Sequence, residues 1–177
     1  MAIKGNLMDV ANRGDPSYVT ASDLNADQIA AWVPGKFGSA LDFPGTNQAY
    51  LQPALEDHPT GPEVTVAFWS HGGSSLPKQN SVMESKASHR ILNIHFPWDN
   101  ASVYWDAVHP SSSDYDRIYK VASASDYKGR WTHWAFTKNA TTGIMKIYLD
   151  GAVWHSGSGK TKELSEVTTF NIGSSAS

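Results

Sequence analysis

Cysteine is absent from the sequence, which excludes a disulfide framework, a thiolate metal site and a cysteine nucleophile. Charged residues are also scarce, at 18% of the chain, and the net charge is −3. Proteins that bind nucleic acid usually carry a basic patch that attracts phosphates, and this composition provides none. We therefore expect no nucleic-acid partner.

Long apolar segments are missing as well. No stretch approaches the roughly 18 apolar residues of a membrane-spanning helix, so we expect no insertion into a membrane. The first seven residues lack the apolar core of a signal peptide. We expect either that export information has been removed or that the domain is part of a larger protein.

What is present is a composition typical of strands and turns. The chain has 177 residues, of which 40% are hydrophobic, so one core of useful size can form. Glycine, serine, threonine, tryptophan and tyrosine are abundant, and these residues suit strands and turns better than helices. We expect a single domain over residues 1–177.

Alternation of apolar and polar residues predicts at least eight short strands. The predicted strands cover residues 35–43, 49–51, 64–69, 90–96, 101–108, 131–137, 144–149, 152–154 and 168–172. Phe37, Leu41 and Phe43 are the predicted inward residues of the first strand. The pattern indicates an all-β sandwich or barrel.

Turn residues separate these strands. Asp150-Gly151 is the strongest hairpin signal, because both positions of a tight hairpin turn favour a positive φ. A turn is also predicted at residues 44–47. Residues 22–31 are predicted to form a short helical turn, capped by Ser22 or Asp23.

Five segments, taken in order, carry a family resemblance. They are residues 34–45, 64–69, 130–137, 145–151 and 170–173, within a span of about residues 32 to 173. Together they resemble the laminin-G-like jelly-roll domains of the concanavalin A-like lectin/glucanase superfamily. The resemblance implies a sandwich of two curved antiparallel sheets packed face to face.

The resemblance implies function only broadly. Relatives bind glycans, adhere to partner proteins or decorate secreted enzymes, virion proteins and surface proteins. It therefore implies carbohydrate or a surface protein as the partner, and an extracellular, surface or virion-associated location. Family members also often carry calcium in their loops, for which Asp42, Asn47, Asp114 and Asp116 are the possible donors here.

The ends of the chain depart from the family pattern. The usual final strand does not follow residue 173, and the usual first strand is hard to find before Trp32. We expect a domain that lacks its terminal strands or completes its sheet with a neighbouring chain. An open sheet edge exposes unpaired backbone groups, so a homo-oligomer formed through such edges is one expectation.

Strand alternation also sorts candidate ligand-binding residues onto one surface, provided that their strands share a sheet. These residues are Trp69, Asn93, His95, Tyr104, Asp106, Trp131, His133, Lys146 and Tyr148. Aromatic rings beside polar groups suit sugars, whose apolar ring face stacks on tryptophan or tyrosine while their hydroxyls form hydrogen bonds. The alternative is that loops cover this face and the aromatic residues are structural.

Trp98 is a second candidate, because it lies in a predicted hairpin turn, and loops on a rigid sandwich commonly bind ligands. The alternative is that Trp98 folds back onto the sheet. Among the seven histidines, His95 and His133 are the pair that could meet across strands. We interpret both as hydrogen-bonded structural residues and predict no metal site formed by histidine.

Catalytic patterns are not found. The glucanases that share the predicted fold use an E-x-D-x-x-E strand, and this sequence contains none. The glutamates, Glu84 among them, fall near predicted loops or edges, which leaves Asp106 as the single acid on the candidate surface. We predict no catalytic residue and a binding module for glycan recognition or adhesion. The alternatives are a structural or assembly domain and, third, a glycoside hydrolase.

Overall fold

Eleven strands lie in the part of the chain that the computed structural model describes, residues 31–43, 50–107 and 114–173. They are β1 (Ala31–Pro34), β2 (Ser39–Asp42), β3 (Glu63–His71), β4 (Met83–Lys86), β5 (Arg90–His95), β6 (Ser102–Ala107), β7 (Asp116–Val121), β8 (Trp131–Asn139), β9 (Ile144–Leu149), β10 (Ala152–Gly157) and β11 (Thr169–Ile172). A 3-10 turn, Leu55–Asp57, and a short helix α1 (Ala124–Tyr127) interrupt them.

Two antiparallel sheets form the sandwich that the sequence predicts. One has four strands in the order β10-β9-β8-β3, and the other has five in the order β11-β4-β5-β6-β7. A separate hairpin, β1-β2, carries the start of the described chain. Consecutive strands pair as hairpins at β4-β5-β6-β7 and β8-β9-β10, while β3 pairs with the distant β8.

Aromatic side chains from both sheets fill the interior. Trp134 and Phe136 point inward from β8 because the strand alternates strictly between buried and half-buried residues. From the opposite sheet, Phe96 contacts Trp134 with ring centroids 5.0 Å apart, and Trp105 contacts Phe136 at 6.0 Å. The two indole N–H groups donate within the core, to Thr132 and to the carbonyl of Thr137. Burying each large ring contributes roughly 1.5–3 kcal/mol to folding.

A buried ion pair joins the two sheets. Lys138 on β8 and Asp116 on β7 both point inward, and their Nζ and Oδ2 atoms lie 2.7 Å apart. Lys138 also donates to the carbonyl of Lys160, and Asp116 accepts from the backbone N–H of Lys162. Desolvation lowers the pKa of Lys138, and the contact with Asp116 opposes that effect. The pair therefore holds the segment after β10 against the sandwich.

The β9-β10 hairpin confirms the strongest turn prediction. Asp150 has a φ of 50° and Gly151 a φ of 85°, the positive values that a tight hairpin turn requires. The Asp150 carboxylate accepts a hydrogen bond from the backbone N–H of His133, which ties the turn to β8. The short side chain of aspartate explains why it tolerates this conformation.

Several predictions need correction or fall outside the described residues. Phe37 was expected to face inward, but it lies in the β1-β2 turn and is 55% exposed. The strands β1, β4 and β7 were not predicted, and the described part of the strand predicted at residues 49–51 forms only an isolated bridge, from Leu51 to Ile172. The predicted turn at residues 44–47 lies outside the described residues, and so does nearly all of the helical turn at 22–31. In the described ranges, no helix is long and apolar enough to cross a membrane.

Candidate functional site

The candidate residues do not share one sheet, so the single surface expected from the sequence is wrong. Strands β3, β8 and β9 belong to the four-stranded sheet, whereas β5 and β6 belong to the five-stranded sheet. The outer face of the four-stranded sheet carries Trp69, Trp131, His133, Lys146 and Tyr148. The outer face of the five-stranded sheet carries Asn93, His95, Tyr104 and Asp106. Because the sheets stack through their inner faces, these two sets point in opposite directions.

Trp98 joins the set on the five-stranded sheet. Its backbone N–H bonds to the carbonyl of Ser102, and Ala101, with a φ of 61°, donates back to the carbonyl of Trp98. This tight turn lays the indole on the imidazole of His95, with centroids 4.2 Å apart. Trp98 therefore folds back onto the sheet. It lies against His95, so this second candidate and part of the first candidate set form one group of residues.

A small hollow opens at this point on the outer face of the five-stranded sheet. Among the described residues, His95, Trp98, Tyr104 and Arg117 line it, and its volume is about 240 Å³. We call it the aromatic hollow. Tyr104 stacks on Tyr119 of β7, with ring centroids 5.0 Å apart and an interplanar angle of 19°. This stacked pair, on β6 and β7, thus extends the aromatic surface of the hollow towards the edge of the sheet.

A row of polar side chains runs across all five strands beside the hollow. The row consists of Asn171, Glu84, Asn93, Asp106 and Arg117, each directly opposite the next in the strand register. We call it the polar row. Its three central members have no solvent exposure. Buried charges must be paired to be tolerated, so the partners of this row determine what it can do.

Arg117 and Asp106 form the best-defined contact of the polar row. The guanidinium donates from Nε to Oδ1 and from Nη2 to Oδ2 of the carboxylate, both at 2.6 Å. These hydrogen bonds raise the pKa of Arg117. The guanidinium carbon also lies 5.1 Å from the ring centroid of Tyr104 and 5.4 Å from that of Tyr115. Arg117 is therefore fixed in one orientation at the wall of the hollow.

Glu84 corrects the expectation that Asp106 is the single acid on this face. Glu84 lies on β4, on the same outer face and two strands away from Asp106. Its carboxylate lies 2.7 Å from the guanidinium of Arg90 and 3.2 Å from the ammonium of Lys86. Sequence reasoning missed this position because β4 was not recognised as a strand.

Asn93 lies between these two carboxylate-bearing strands. Its side chain is fully buried, and neither the amide nitrogen nor the amide oxygen has a hydrogen-bond partner in the described structure. A buried amide without partners costs stability, on the order of 1–3 kcal/mol for each unsatisfied group. Such groups deserve a functional explanation, and here the residue adjoins the aromatic hollow.

His95 contributes a neutral imidazole to the hollow. Its Nδ1 lies 2.8 Å from the carbonyl oxygen of Asn80 and 3.1 Å from Oγ of Ser81. A carbonyl can only accept, so Nδ1 carries the proton and Nε2 is left as an acceptor. Burial lowers the pKa of His95, and this effect outweighs the hydrogen bond to Asn80 and the charge of Asp106, which both raise it. The imidazole is therefore neutral at pH 7.

The outer face of the four-stranded sheet is built differently. Trp69 contacts His133, with centroids 5.2 Å apart, and lies under the β1-β2 turn. Phe37 meets the Trp69 ring edge-on at 5.7 Å, and the ammonium of Lys36 lies 5.4 Å from its centroid. Trp131 packs instead on His71 at 5.6 Å. These aromatic residues therefore contact each other and the hairpin.

Lys146 and Tyr148 line a wide, open depression elsewhere on the same face. Its volume is about 750 Å³. The described residues around it are Pro59, Thr60, Glu63, Val64, Thr65, Thr137, Lys138, Asn139, Thr142, Ile144, Lys146 and Tyr148. Apart from Tyr148 its walls carry no aromatic ring, and Glu63 accepts a hydrogen bond from Asn139 at 2.6 Å. This depression has the polar, solvent-facing character usual for one side of an antiparallel sheet.

Of the residues proposed for metals, those in the described ranges do not gather into a metal site. His95 and His133 lie on different sheets and cannot meet. Asp116 is held in the buried ion pair, and the Asp114 carboxylate lies 2.9 Å from the ammonium of Lys162. Carboxylates already occupied by cations are poor calcium ligands. In the described ranges no three histidine or acidic residues gather as metal ligands, and Asn47 lies outside them.

Solved structures that share this fold include two toxin binding domains. The binding domain of Paraclostridial Mosquitocidal Protein 1 superposes with a TM-score of 0.63 at 11% identity, over 87% of this chain and 38% of that chain. The receptor binding domain of botulinum neurotoxin D gives 0.51 at 18% identity, over 64% and 29%. The chain thus spans well under half of either structure, and at this identity the likeness shows the fold alone.

Sequence comparison adds a family. The family model of laminin G type, described as the concanavalin A-like lectin/glucanases superfamily, matches residues 44–177. The match covers most of the chain, including β3 to β11. No curated protein sequence matches the chain.

Proposed function

The chain belongs to the laminin G-type family of the concanavalin A-like lectin/glucanases superfamily, and on that premise we propose that it is a non-catalytic, saccharide-binding module. The proposed site is the aromatic hollow. One observation carries the proposal: two aromatic rings, Trp98 and Tyr104, flank a guanidinium, Arg117, that Asp106 holds in place.

The chemistry of the hollow matches a pyranose ring. The apolar C–H face of a sugar can stack on Trp98 or Tyr104, while its hydroxyls accept from Arg117 and donate to Nε2 of His95. At about 240 Å³ the hollow is smaller than the roughly 300–1,000 Å³ of sites that enclose drug-sized ligands. It therefore suits one sugar ring, with the rest of a longer glycan lying along the sheet.

The acidic residues support a binding role rather than catalysis. Glycoside hydrolysis needs two carboxyl groups that face the glycosidic bond, one of which protonates the leaving group. Both oxygens of Asp106 are occupied by Arg117, and the Glu84 carboxylate lies between Arg90 and Lys86. Neither is free to transfer a proton to a ligand in the hollow. We place the module on a secreted, surface or virion protein, where glycan recognition or adhesion is needed.

Substitution on the two outer faces tests this proposal. Binding to a broad panel of immobilised glycans is measured for the unchanged chain, and a glycan that binds is then titrated by calorimetry. Trp98→Ala and Tyr104→Ala should each weaken binding about fivefold or more, since stacking on one ring contributes roughly 1 kcal/mol or more. Trp69→Ala, on the opposite face, is the matched control and should leave the affinity unchanged.

Three results would contradict the proposed function or move its site. Failure of the folded chain to bind any glycan would overturn the saccharide function. If stable oligomers formed at the same time, an assembly domain would be the better description. Binding that survives Trp98→Ala but is lost with Trp69→Ala or Tyr148→Ala would move the site to the four-stranded sheet.

A further inference from the structure

The charge distribution around the aromatic hollow narrows the class of ligand. The polar row and its ion-pair partners bring together two carboxylates, Glu84 and Asp106, and three cations, Lys86, Arg90 and Arg117. The polar row and these partners therefore carry one net positive charge, although the whole chain has a net charge of −3. Local charge of one sign at a partly desolvated site favours a ligand group of the opposite sign.

Arg117 retains donors for such a group. A guanidinium has five N–H donors, and the contact with Asp106 uses two of them, on Nε and Nη2. The side chain is 37% exposed, so the remaining donors are accessible. The fixed orientation of the planar fork matches the two oxygens of a carboxylate or sulfate group, and such charge-assisted bonds are roughly twice as strong as neutral ones.

Two carboxylates, Asp99 and Asp106, lie near the hollow, and neither is among the described residues that line it. Asp106 binds Arg117 through both of its oxygens, and Oδ2 of Asp99, in the turn that carries Trp98, accepts from the neutral side chain of Gln79 at 3.0 Å. The hollow thus presents charged donors on one wall and only a neutral acceptor, Nε2 of His95, on another. A neutral sugar offers the guanidinium donors only hydroxyl oxygens, whereas an acidic sugar offers a charged oxyanion, whose hydrogen bonds to them are stronger.

From these observations, and resting on the saccharide function proposed above, we propose that the hollow selects acidic saccharides and that Arg117 binds their oxyanion. The oxyanion is a uronic-type carboxylate or a sulfate ester. Both groups are negatively charged, and both can present two oxygens to one guanidinium. Asp106 is a positioning residue, because it acts on the ligand through the orientation of Arg117. Asn93, whose side-chain amide has no hydrogen-bond partner in the described structure, lies beside this pair in the polar row.

Matched ligands test the inference on the unchanged protein. The probes are oligogalacturonate, the same oligomer with its carboxyl groups reduced to alcohols, and a sulfated galactose oligomer, each titrated by calorimetry at 50 and 300 mM salt. If these do not bind, the same acid and reduced-acid comparison is made with the best glycan of the panel. We expect the acidic form to bind at least about tenfold more tightly than its neutral counterpart, with affinity falling as salt rises.

Variants assign the effect to one residue. Arg117→Met should abolish the preference for the acidic form, and Arg117→Lys should keep the charge but lose the planar fork, which weakens acidic binding about tenfold. Arg130→Met is the matched control, because Arg130 is exposed on the other sheet and pairs with Asp150. If Arg117→Met does not fold, the ligand pair and the Arg117→Lys variant remain decisive.

Each result has one meaning. A preference for carboxylate, for sulfate or for both over the neutral oligomer supports the inference and identifies the oxyanion. Equal binding of acidic and neutral forms overturns the inference while the saccharide function stands. The absence of binding to every glycan overturns both.

Discussion

The two outer faces of the sandwich differ in what they do with polar side chains. On the four-stranded sheet, β8 alternates regularly: Thr132, Trp134 and Phe136 are buried, while the residues between them are half-exposed. On the five-stranded sheet, β5 is buried on both sides, and five of its six residues, Ile91 to His95, have little or no exposure. One sheet has a plain solvent-facing side, and the other has ionic groups buried where solvent would be expected.

This difference is the reason for proposing the binding surface on the five-stranded sheet. An antiparallel sheet needs only one buried face, and polar residues on its other face are ordinarily hydrated. The buried carboxylates Glu84 and Asp106 lose that hydration and are stabilised instead by oriented cations. A surface of this kind is rigid, which favours recognition of a ligand with fixed geometry.

The largest contrast is expected from the ion pairs of the two sheets. Asp106→Ala leaves the guanidinium of Arg117 next to a buried surface, so we expect the free energy of unfolding to fall by about 3 to 4 kcal/mol. Arg130→Ala breaks the exposed pair with Asp150 and should cost no more than about 1 kcal/mol. Urea denaturation followed by tryptophan fluorescence measures both. Equal costs would show that the outer face of the five-stranded sheet is hydrated after all.

Acid should weaken the five-stranded sheet by a somewhat smaller amount. His58 packs edge-on against Phe170 of β11, its Nε2 lies 2.7 Å from Oγ of Ser85, and its Nδ1 has no partner in the described structure. Burial lowers its pKa to about 4 from 6.5. Below pH 6.5 the unfolded chain therefore takes up a proton that the folded chain does not.

The free energy of unfolding should consequently fall as the pH drops from 7 towards 4, with about 2 to 3 kcal/mol of the loss due to His58. The stabilisation is complete above the unfolded pKa and is lost on acidification. His58→Gln, which cannot titrate, should show a flatter dependence by that amount in urea denaturation at pH 7, 5.5 and 4.5. Parallel curves for the two proteins would contradict this prediction.

The smallest contrast concerns exposed side chains at equivalent places. Tyr119 stacks on Tyr104 across β6 and β7, so Tyr119→Ala should cost about 0.5 to 1.5 kcal/mol of stability. Thr65 occupies an outward position on β3, where Thr65→Ala should change stability by no more than about 0.5 kcal/mol. If the two substitutions lowered the free energy of unfolding equally, the stacked pair would make no measurable contribution to stability.

Local patterns in the sequence predicted much of the fold. The faces of β8 and β9 are correct because one side of each strand is apolar and the other is polar, and the Asp150-Gly151 turn follows from backbone preferences alone. Leu92 and Ile147, which alternate with the outward candidate residues of β5 and β9, are fully buried, and Phe68, next to Trp69 on β3, packs against the core. These features depend only on neighbouring residues in the chain.

The site could not be predicted in the same way, because it depends on which strands pair. Membership of two different sheets separates Trp69 from His95, and no local pattern encodes that pairing. The sequence of β4 is polar, because it contains Glu84 and Lys86, yet the strand lies between β5 and β11 with its central residues buried. Arg117 was missed because β7 was not predicted as a strand. Its inward residue Asp116 is charged, so the inward-facing side of β7 is not uniformly apolar and the alternation is weak. The β-branched and aromatic residues of β7, Ile118, Tyr119 and Val121, were the available signal.

Back-to-back stacking of the sheets has a consequence for how the module sits within an assembly. Sheets in a sandwich lie about 10 Å apart, so the hollow and the depression near Lys146 open towards opposite half-spaces with the whole core between them. Contact through one side leaves the approach to the other unobstructed. A neighbouring domain that packs on the Lys146 side would therefore leave the hollow facing solvent, accessible to a ligand.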